Sequence, residues 1–420
     1  MAAAGAGDPL CAARRCLLRY ARSGNLSVVA GRLPVPLSVL DLCPVPTGES
    51  AGEALRRSID LARHAERWGF RRYWVAEHHG MPGIASSAPA VLAGQIASAT
   101  STIRVGAGGV MLPNHAPLTV AEQFGTLEAM HPGRIDLGIG RAPGTDRATA
   151  RALRRSAEGL PAAGFAGQLA ELRAYFAGQA AEGSSPGQIR AIPAEGNEPA
   201  VWLLGSTGYS AELAGRLGLP FAFAYHFSAA NARPALALYR RTFTPSGRLA
   251  EPYALISVSV LCAQNAAAAH RLHGSSRLSL LRQRAGRPST LPSPEEAARR
   301  PYSAAEQTVI AEATGSDVVG DPATVIGLLD GLVASTGANE LMVTTSTFAH
   351  ADRLTSYELL ARAVGPGEQR ASALLDVLPA VVPEQILHAG SPGQTVDSAE
   401  GLLLVRIVHR VRGHRLHAVG

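Results

Sequence analysis

From Pro36 onward the chain repeats one unit, a short apolar run followed by a segment with helical periodicity. The runs are Leu37–Leu42, Arg72–Ala76, Ile103–Leu112, Arg134–Gly140, Val201–Gly205, Pro220–Tyr225, Tyr253–Cys262 and Leu341–Thr345. Each is rich in Val, Ile, Leu or aromatic residues, as a strand covered on both faces must be. The segments between them carry helical stripes. In the first, Leu55, Ile59, Ala62 and Trp68 fall near one face, Ser50 is placed to cap the start and Gly69 to end it. Such alternation predicts parallel strands joined by helical crossovers, and eight strands close a (β/α)8 barrel. An open doubly wound sheet is the competing arrangement, because periodicity does not separate a short buried strand from a piece of buried helix.

The expected organisation is an irregular extension over residues 1–34, a barrel domain over 35–365 and a C-terminal extension over 366–420. Two stretches interrupt the alternation. Arg141–Pro161 is polar, with Gly144, Thr145 and Asp146, and reads as a long loop or lid on the active face. Arg271–Pro301 is rich in Arg, Ser and Pro and reads as an insertion of loop and short helix after the seventh strand. Near the end, Leu402–His417 mixes Leu, Val and Ile with Arg and His. It reads either as an amphipathic surface or dimerisation helix or as an appendage without a role.

Composition removes several function classes. With 46% hydrophobic and 17% charged residues the chain is globular, and 420 residues bury enough apolar surface to fold without disulfide or metal staples. The formal charge is +6, but all 39 basic residues are arginine and they are scattered, with no dense run interleaved with aromatics. No nucleic-acid partner is expected. Cys11, Cys16, Cys43 and Cys262 make no CxxC pair and have no histidine at zinc-ligand spacing, so no metal is expected and the thiols read as reduced. No signal-peptide pattern and no run of ~20 apolar residues is present, so the expected setting is cytoplasmic, without a membrane.

In a closed barrel the chemistry sits at the C-terminal ends of the strands. After the second run comes Glu77-His78-His79-Gly80. Side chains alternate along an extended segment, so one histidine can face a ligand while the other packs. Imidazole suits proton transfer near neutral pH, although two hydrogen-bonded loop histidines are the plainer reading. The third run holds Gly106, Gly108 and Gly109, which fit close approach of a ligand, an unusual peptide geometry, or a β-bulge. The fourth ends in Gly140-Arg141 and places a planar, permanently charged donor at the mouth, suited to phosphate, or else a solvated arginine. The fifth ends in Gly205-Ser206-Thr207-Gly208-Tyr209, a tight turn into a helix. Its backbone N–H groups, helix dipole and two hydroxyls suit an anion, and a plain capped helix start is the alternative. It is neither a dinucleotide fingerprint nor a Walker A loop.

Together and in this order, these segments resemble the bacterial-luciferase-like flavin monooxygenases. The resemblance is carried by Ser38–Asp41, Tyr73–His79, Val105–Asn114 running on to Ala121-Glu122-Gln123, Arg134–Arg141, Gly205–Tyr209, Pro220–Phe227 with its Ala-Tyr-His-Phe end, and Glu340–Ala361. It implies a TIM-type barrel that binds reduced FMN or, in some branches, the deazaflavin F420. Carried over by position, His78 resembles the active-site histidine. Gly108-Gly109 falls where the family often has a non-proline cis peptide beneath the flavin ring. Arg141 matches a flavin-phosphate arginine, and Ser206, Thr207, Gly208 and Tyr209 match the phosphate-binding turn. The implied reaction uses O2 and reduced FMN, supplied by a separate flavin reductase, to oxidise a small organic substrate. An F420-dependent hydride-transfer dehydrogenase or reductase, and a flavin-binding protein without turnover, are the other readings. The chain departs from the luciferases proper in its terminal extensions and in its His79-Gly80-Met81-Pro82 loop, and resembles instead the smaller single-subunit relatives of unknown substrate. A homodimer is implied by the same resemblance.

Overall fold

Eight parallel strands close on themselves. In chain order the strands are β1 (Leu37–Asp41), β2 (Arg72–Val75), β3 (Arg104–Met111), β4 (Ile135–Gly140), β5 (Ala200–Gly205), β6 (Phe221–Ala224), β7 (Ala254–Cys262), β8 (Val318–Gly320) and β9 (Glu340–Thr344). Neighbours run β6-β5-β4-β3-β2-β1-β9-β7, and β6 pairs with β7 to complete the ring. The short β8 pairs with β7 alone and stands outside the barrel. The architecture is therefore the expected (β/α)8 barrel, with β9 as its eighth stave. The computed structural model describes residues 33–142, 144–153, 164–179 and 189–364. The expected extensions over 1–34 (apart from Leu33 and Pro34) and 366–420 lie outside the described residues, as do 143 and 154–161 of the polar loop.

Local chemistry explains the elements. The helix Ala51–Trp68 starts where the Ser50 side chain accepts a hydrogen bond from the Glu53 N–H, and it stops at Gly69, which adopts φ 87°. Every residue of β1, β2, β4 and β9 is buried, as strands sandwiched between a barrel interior and a helix layer require. The segment 271–301 corrects the sequence expectation. Most of its first half belongs to one 19-residue helix, Ala266–Arg284, capped by Asn265 and burying Ala269, Leu272, Ser275, Leu278 and Leu281. Its Arg and Ser residues masked a helical spacing of small and aliphatic ones. Two more helices follow, Pro294–Arg299 and Ala304–Thr314, the second opened by a Ser303–Glu306 capping box.

The N-terminal end of the barrel is sealed by a buried ion network. Arg72 Nε donates to Glu340 at 2.9 Å and its Nη1 to Asp136 at 2.9 Å, while Arg104 holds the other Asp136 oxygen at 2.7–2.9 Å. The Trp74 indole N–H donates to Asp136 and the Tyr253 hydroxyl to Glu340, and the Arg72 guanidinium lies 4.6 Å from the Trp202 ring centroid. Burial alone would raise the Asp136 pKa; Arg104 and Arg72 outweigh it and hold the group down to about 2.

Close backbone contact inside the barrel fixes Gly138. A Cβ on Gly138 would stand 2.3 Å from the Ala107 carbonyl oxygen, which is backbone and cannot move aside. Gly138→Ala is expected to lower stability by about 1–3 kcal/mol in denaturant unfolding. Gly327→Ala, in the helix Pro322–Thr336 with nothing within 4 Å, is expected to raise it by about 0.5–1 kcal/mol.

Candidate active site

The C-terminal ends of β2 to β5 carry all the residues singled out in the sequence. β3 pairs with β4 up to Gly108↔Gly138 and then shifts register to Val110↔Ile139, so the glycine pair forms a bulge. The Gly108–Gly109 peptide is also cis. Gly108 is partly open to solvent although its neighbours Ala107 and Gly109 are buried. A Cβ on Gly109 would meet the Gly138 carbonyl oxygen at 2.5 Å and Leu204 at 2.9 Å, so the ends of β3, β4 and β5 converge here.

The histidine pair divides its work. His79 Nε2 lies 2.9 Å from the Glu77 carboxylate and is tied into the frame. His78 instead places Nδ1 3.2 Å from the Gly144 carbonyl oxygen, in the loop after β4, while its own N–H donates to Ser86. A carbonyl only accepts, so Nδ1 carries the proton and Nε2 is the acceptor of the neutral ring. Burial is the main cause that lowers the His78 pKa from its ordinary value; the Gly144 carbonyl and Glu77 oppose it.

Glu77 is a structural centre that the sequence reading did not single out. It is fully buried and accepts from the Met111 N–H at 2.9 Å, Asn114 Nδ2 at 3.3 Å and the rings of His79 and His115 at 2.9 Å each. Burial alone would raise its pKa, but His115, His79 and the Met111 N–H hold it below the usual glutamate value. One carboxylate thereby fastens the exit of β2 to the exit of β3. The run Asn114-His115, which begins five residues after Gly109, is the signal that could have found it.

Arg141 and the fifth-strand turn also meet. The Arg141 guanidinium lies 4.3 Å from the centroid of the Tyr209 ring, itself 39% exposed. Tyr209 sits in the first turn of the helix Gly208–Arg216, whose N-cap Thr207 makes no side-chain cap hydrogen bond. Among the described residues the Ser206 and Thr207 hydroxyls have no hydrogen bond and Arg141 has no ion pair. A guanidinium, two free hydroxyls and an uncapped helix start form a donor set with the chemistry for a phosphate.

A second histidine at the mouth was quoted in the sequence without a role. His226 follows β6 in the short turn Tyr225–Ser228, with Nδ1 3.0 Å from the Ser257 carbonyl oxygen. Among the described residues no group of three potential metal ligands gathers, and no helix is long and apolar enough to cross a membrane.

Known proteins are similar to this chain in sequence and fold. The sequence profile of the luciferase-like monooxygenases matches residues 35–340. The Bacillus subtilis protein YvbT is 52% identical over 328 residues, covering 77% of this chain and 95% of the relative. A luciferase-like monooxygenase of Escherichia coli K12 is 46% identical over 325 residues, covering 77% and 96%. The N-acetyl-S-alkylcysteine monooxygenase of B. subtilis is 33% identical over 334 residues, covering 79% and 98%. Among solved structures, apo-MsnO8 superposes with a TM-score of 0.71 at 39% identity, covering 79% and 97%. The barrel also matches the oxygenating component of the Pseudomonas putida 3,6-diketocamphane monooxygenase with FMN (TM-score 0.60, 18% identity, covering 79% and 98%). An F420-dependent secondary alcohol dehydrogenase matches it too (TM-score 0.55, 14% identity, covering 79% and 99%). At those identities the likeness is one of fold. The profile match across the barrel and the extended identity to its members make this chain a member of the luciferase-like monooxygenase family.

Proposed function

We propose that this monooxygenase uses reduced FMN, delivered by a separate flavin reductase, and O2 to oxidise a small organic substrate. The observation that carries the choice of a phosphorylated flavin is the donor set of Arg141, Ser206, Thr207 and the helix start at Gly208-Tyr209 beside the open backbone at Gly108. Bound there, reduced flavin supplies the electrons that activate O2. The chain supplies position and proton control. Arg141 and the turn Ser206–Tyr209 hold the phosphate, and the bulge at Gly108-Gly109 gives the ring room to lie against the backbone. His78, neutral at pH 7 and with Nε2 as acceptor, takes or returns a proton at the reacting centre. The name of the B. subtilis N-acetyl-S-alkylcysteine monooxygenase makes thioethers the first substrates to assay.

Anaerobic titrations with reduced FMN and with F420, followed by oxygen-consumption assays with N-acetyl-S-methylcysteine, test the proposal. Tight binding of reduced FMN and product formed only with O2 are expected. Preference for F420 with turnover in the absence of O2 would replace the reading with hydride transfer. Arg141→Ala is expected to weaken FMN binding by about 10- to 100-fold, the loss of one charge-assisted contact. Riboflavin, which lacks the phosphate, is expected to bind both forms alike.

A further inference from the structure

The strand order sets the ends of β2 and β6 opposite each other, with three strands between them on either side of the ring. Each of these ends carries a histidine, His78 after β2 and His226 after β6. Both rings are held in the same way. His226 Nδ1 lies 3.0 Å from the Ser257 carbonyl oxygen and 3.1 Å from the Ser257 hydroxyl, as His78 Nδ1 lies 3.2 Å from the Gly144 carbonyl oxygen. Because a carbonyl only accepts, each Nδ1 keeps its proton and each neutral ring offers Nε2 as an acceptor. No hydrogen bond among the described residues reaches Nε2 of either ring.

We infer that His226 is a second catalytic residue, whose Nε2 takes a hydrogen bond or a proton from the molecule bound in the barrel mouth, on the side opposite His78. Only the identity of that molecule rests on the oxygenase reading. In the transfer, a donor X–H of the substrate loses its hydrogen as a proton, an Nε2–H bond forms, the electron pair stays on X, and Nδ1–H remains on Ser257. Beside the ring, Phe227 stands with its centroid 4.1 Å from that of His226 and is 70% exposed, offering an apolar face to the body of the same molecule. The matching ligand class is a small organic molecule with an apolar body next to an O–H, N–H or acidic C–H donor.

The groups around His226 set its charge. Burial disfavours its protonated form most; the Ser257 carbonyl on β7 and Asp317 before β8 oppose that, and His78 adds to it from across the mouth. Asp317 is itself bonded to His273 of the helix Ala266–Arg284 at 2.8 Å. The net effect lowers the His226 pKa below its ordinary value, so the ring is a neutral acceptor at pH 7.

Two measurements on the full chain test this. Ring-nitrogen NMR of the flavin-free protein is expected to show His226 as the Nδ1–H tautomer, held by the Ser257 carbonyl. An Nε2–H tautomer would overturn the arrangement. With reduced FMN, O2 and N-acetyl-S-methylcysteine, His226→Gln is expected to lower product formed per flavin oxidised by about 10²-fold, with FMN affinity within about three-fold. Full coupled turnover in His226→Gln would overturn the catalytic role. If the unsubstituted protein oxidises no probe, the oxygenase reading fails separately. A shift of the His226 ring signals on adding FMN would then uphold its contact with the bound molecule, and unchanged signals would overturn it.

Discussion

His78→Ala is expected to cut turnover by about 10²- to 10⁴-fold while leaving FMN affinity within about three-fold. The Gly144 carbonyl holds Nδ1 of the ring, so on the proposed reading its removal takes away the Nε2 proton acceptor and spares the phosphate donors proposed at Arg141. The pH profile gives a second readout. Burial lowers the His78 pKa from its ordinary value, so the neutral ring predominates at pH 7. Turnover is expected to fall as pH drops and the ring gains a proton. In His78→Ala the His78 part of this acid limb should disappear, leaving only that of His226. Steady-state oxygen consumption across pH, set beside a flavin-binding titration, checks both expectations. A variant that keeps full activity removes His78 from the chemistry.

Arg72→Met is expected to destabilise the fold by about 3–5 kcal/mol, the cost of breaking a buried ion pair and leaving its partners uncompensated. Two fully buried carboxylates, Glu340 and Asp136, lose a shared cation. Acid should narrow the difference. Asp136 has a folded pKa of about 2 against an ordinary 3.8, so its favourable contribution is complete above 3.8 and disappears as pH falls through about 2. In the variant, Asp136 has lost one of its two arginines and protonates more readily. The gap between the two proteins should therefore shrink as pH drops below 3.8. Guanidinium unfolding at pH 7 and pH 3 measures it. A loss under 1 kcal/mol at pH 7 would show that Arg104 alone satisfies Asp136 and that Glu340 finds another donor.

The barrel was legible in the sequence because its strands are buried on both faces and its first helix is bounded by recognisable caps. Ser50 and Gly69 bound the first helix as their chemistry requires. Runs such as Leu37–Leu42 and Arg134–Gly140 mark their strands to within a residue. The insertion was legible only in part. Val318–Gly320 is a three-residue strand, too short for any period, and the apolar spacing of Ala266–Arg284 is diluted by arginine and serine. At the site, position after a strand end picked out His78, Gly108, Gly109, Arg141 and Ser206–Tyr209, which the fold gathers at the ends of four adjacent strands. Glu77 and His226 escaped because their meaning lies in contacts between distant segments. Glu77 matters through Met111, Asn114 and His115, and His226 through Ser257.

A crystal structure of the protein with FMN tests the central claim most directly. The account predicts the phosphate bonded to Arg141 and to the turn Ser206–Tyr209, with the ring over Gly108 and its reacting edge toward His78. FMN seated outside this end of the barrel, or with its phosphate away from Arg141, would contradict it.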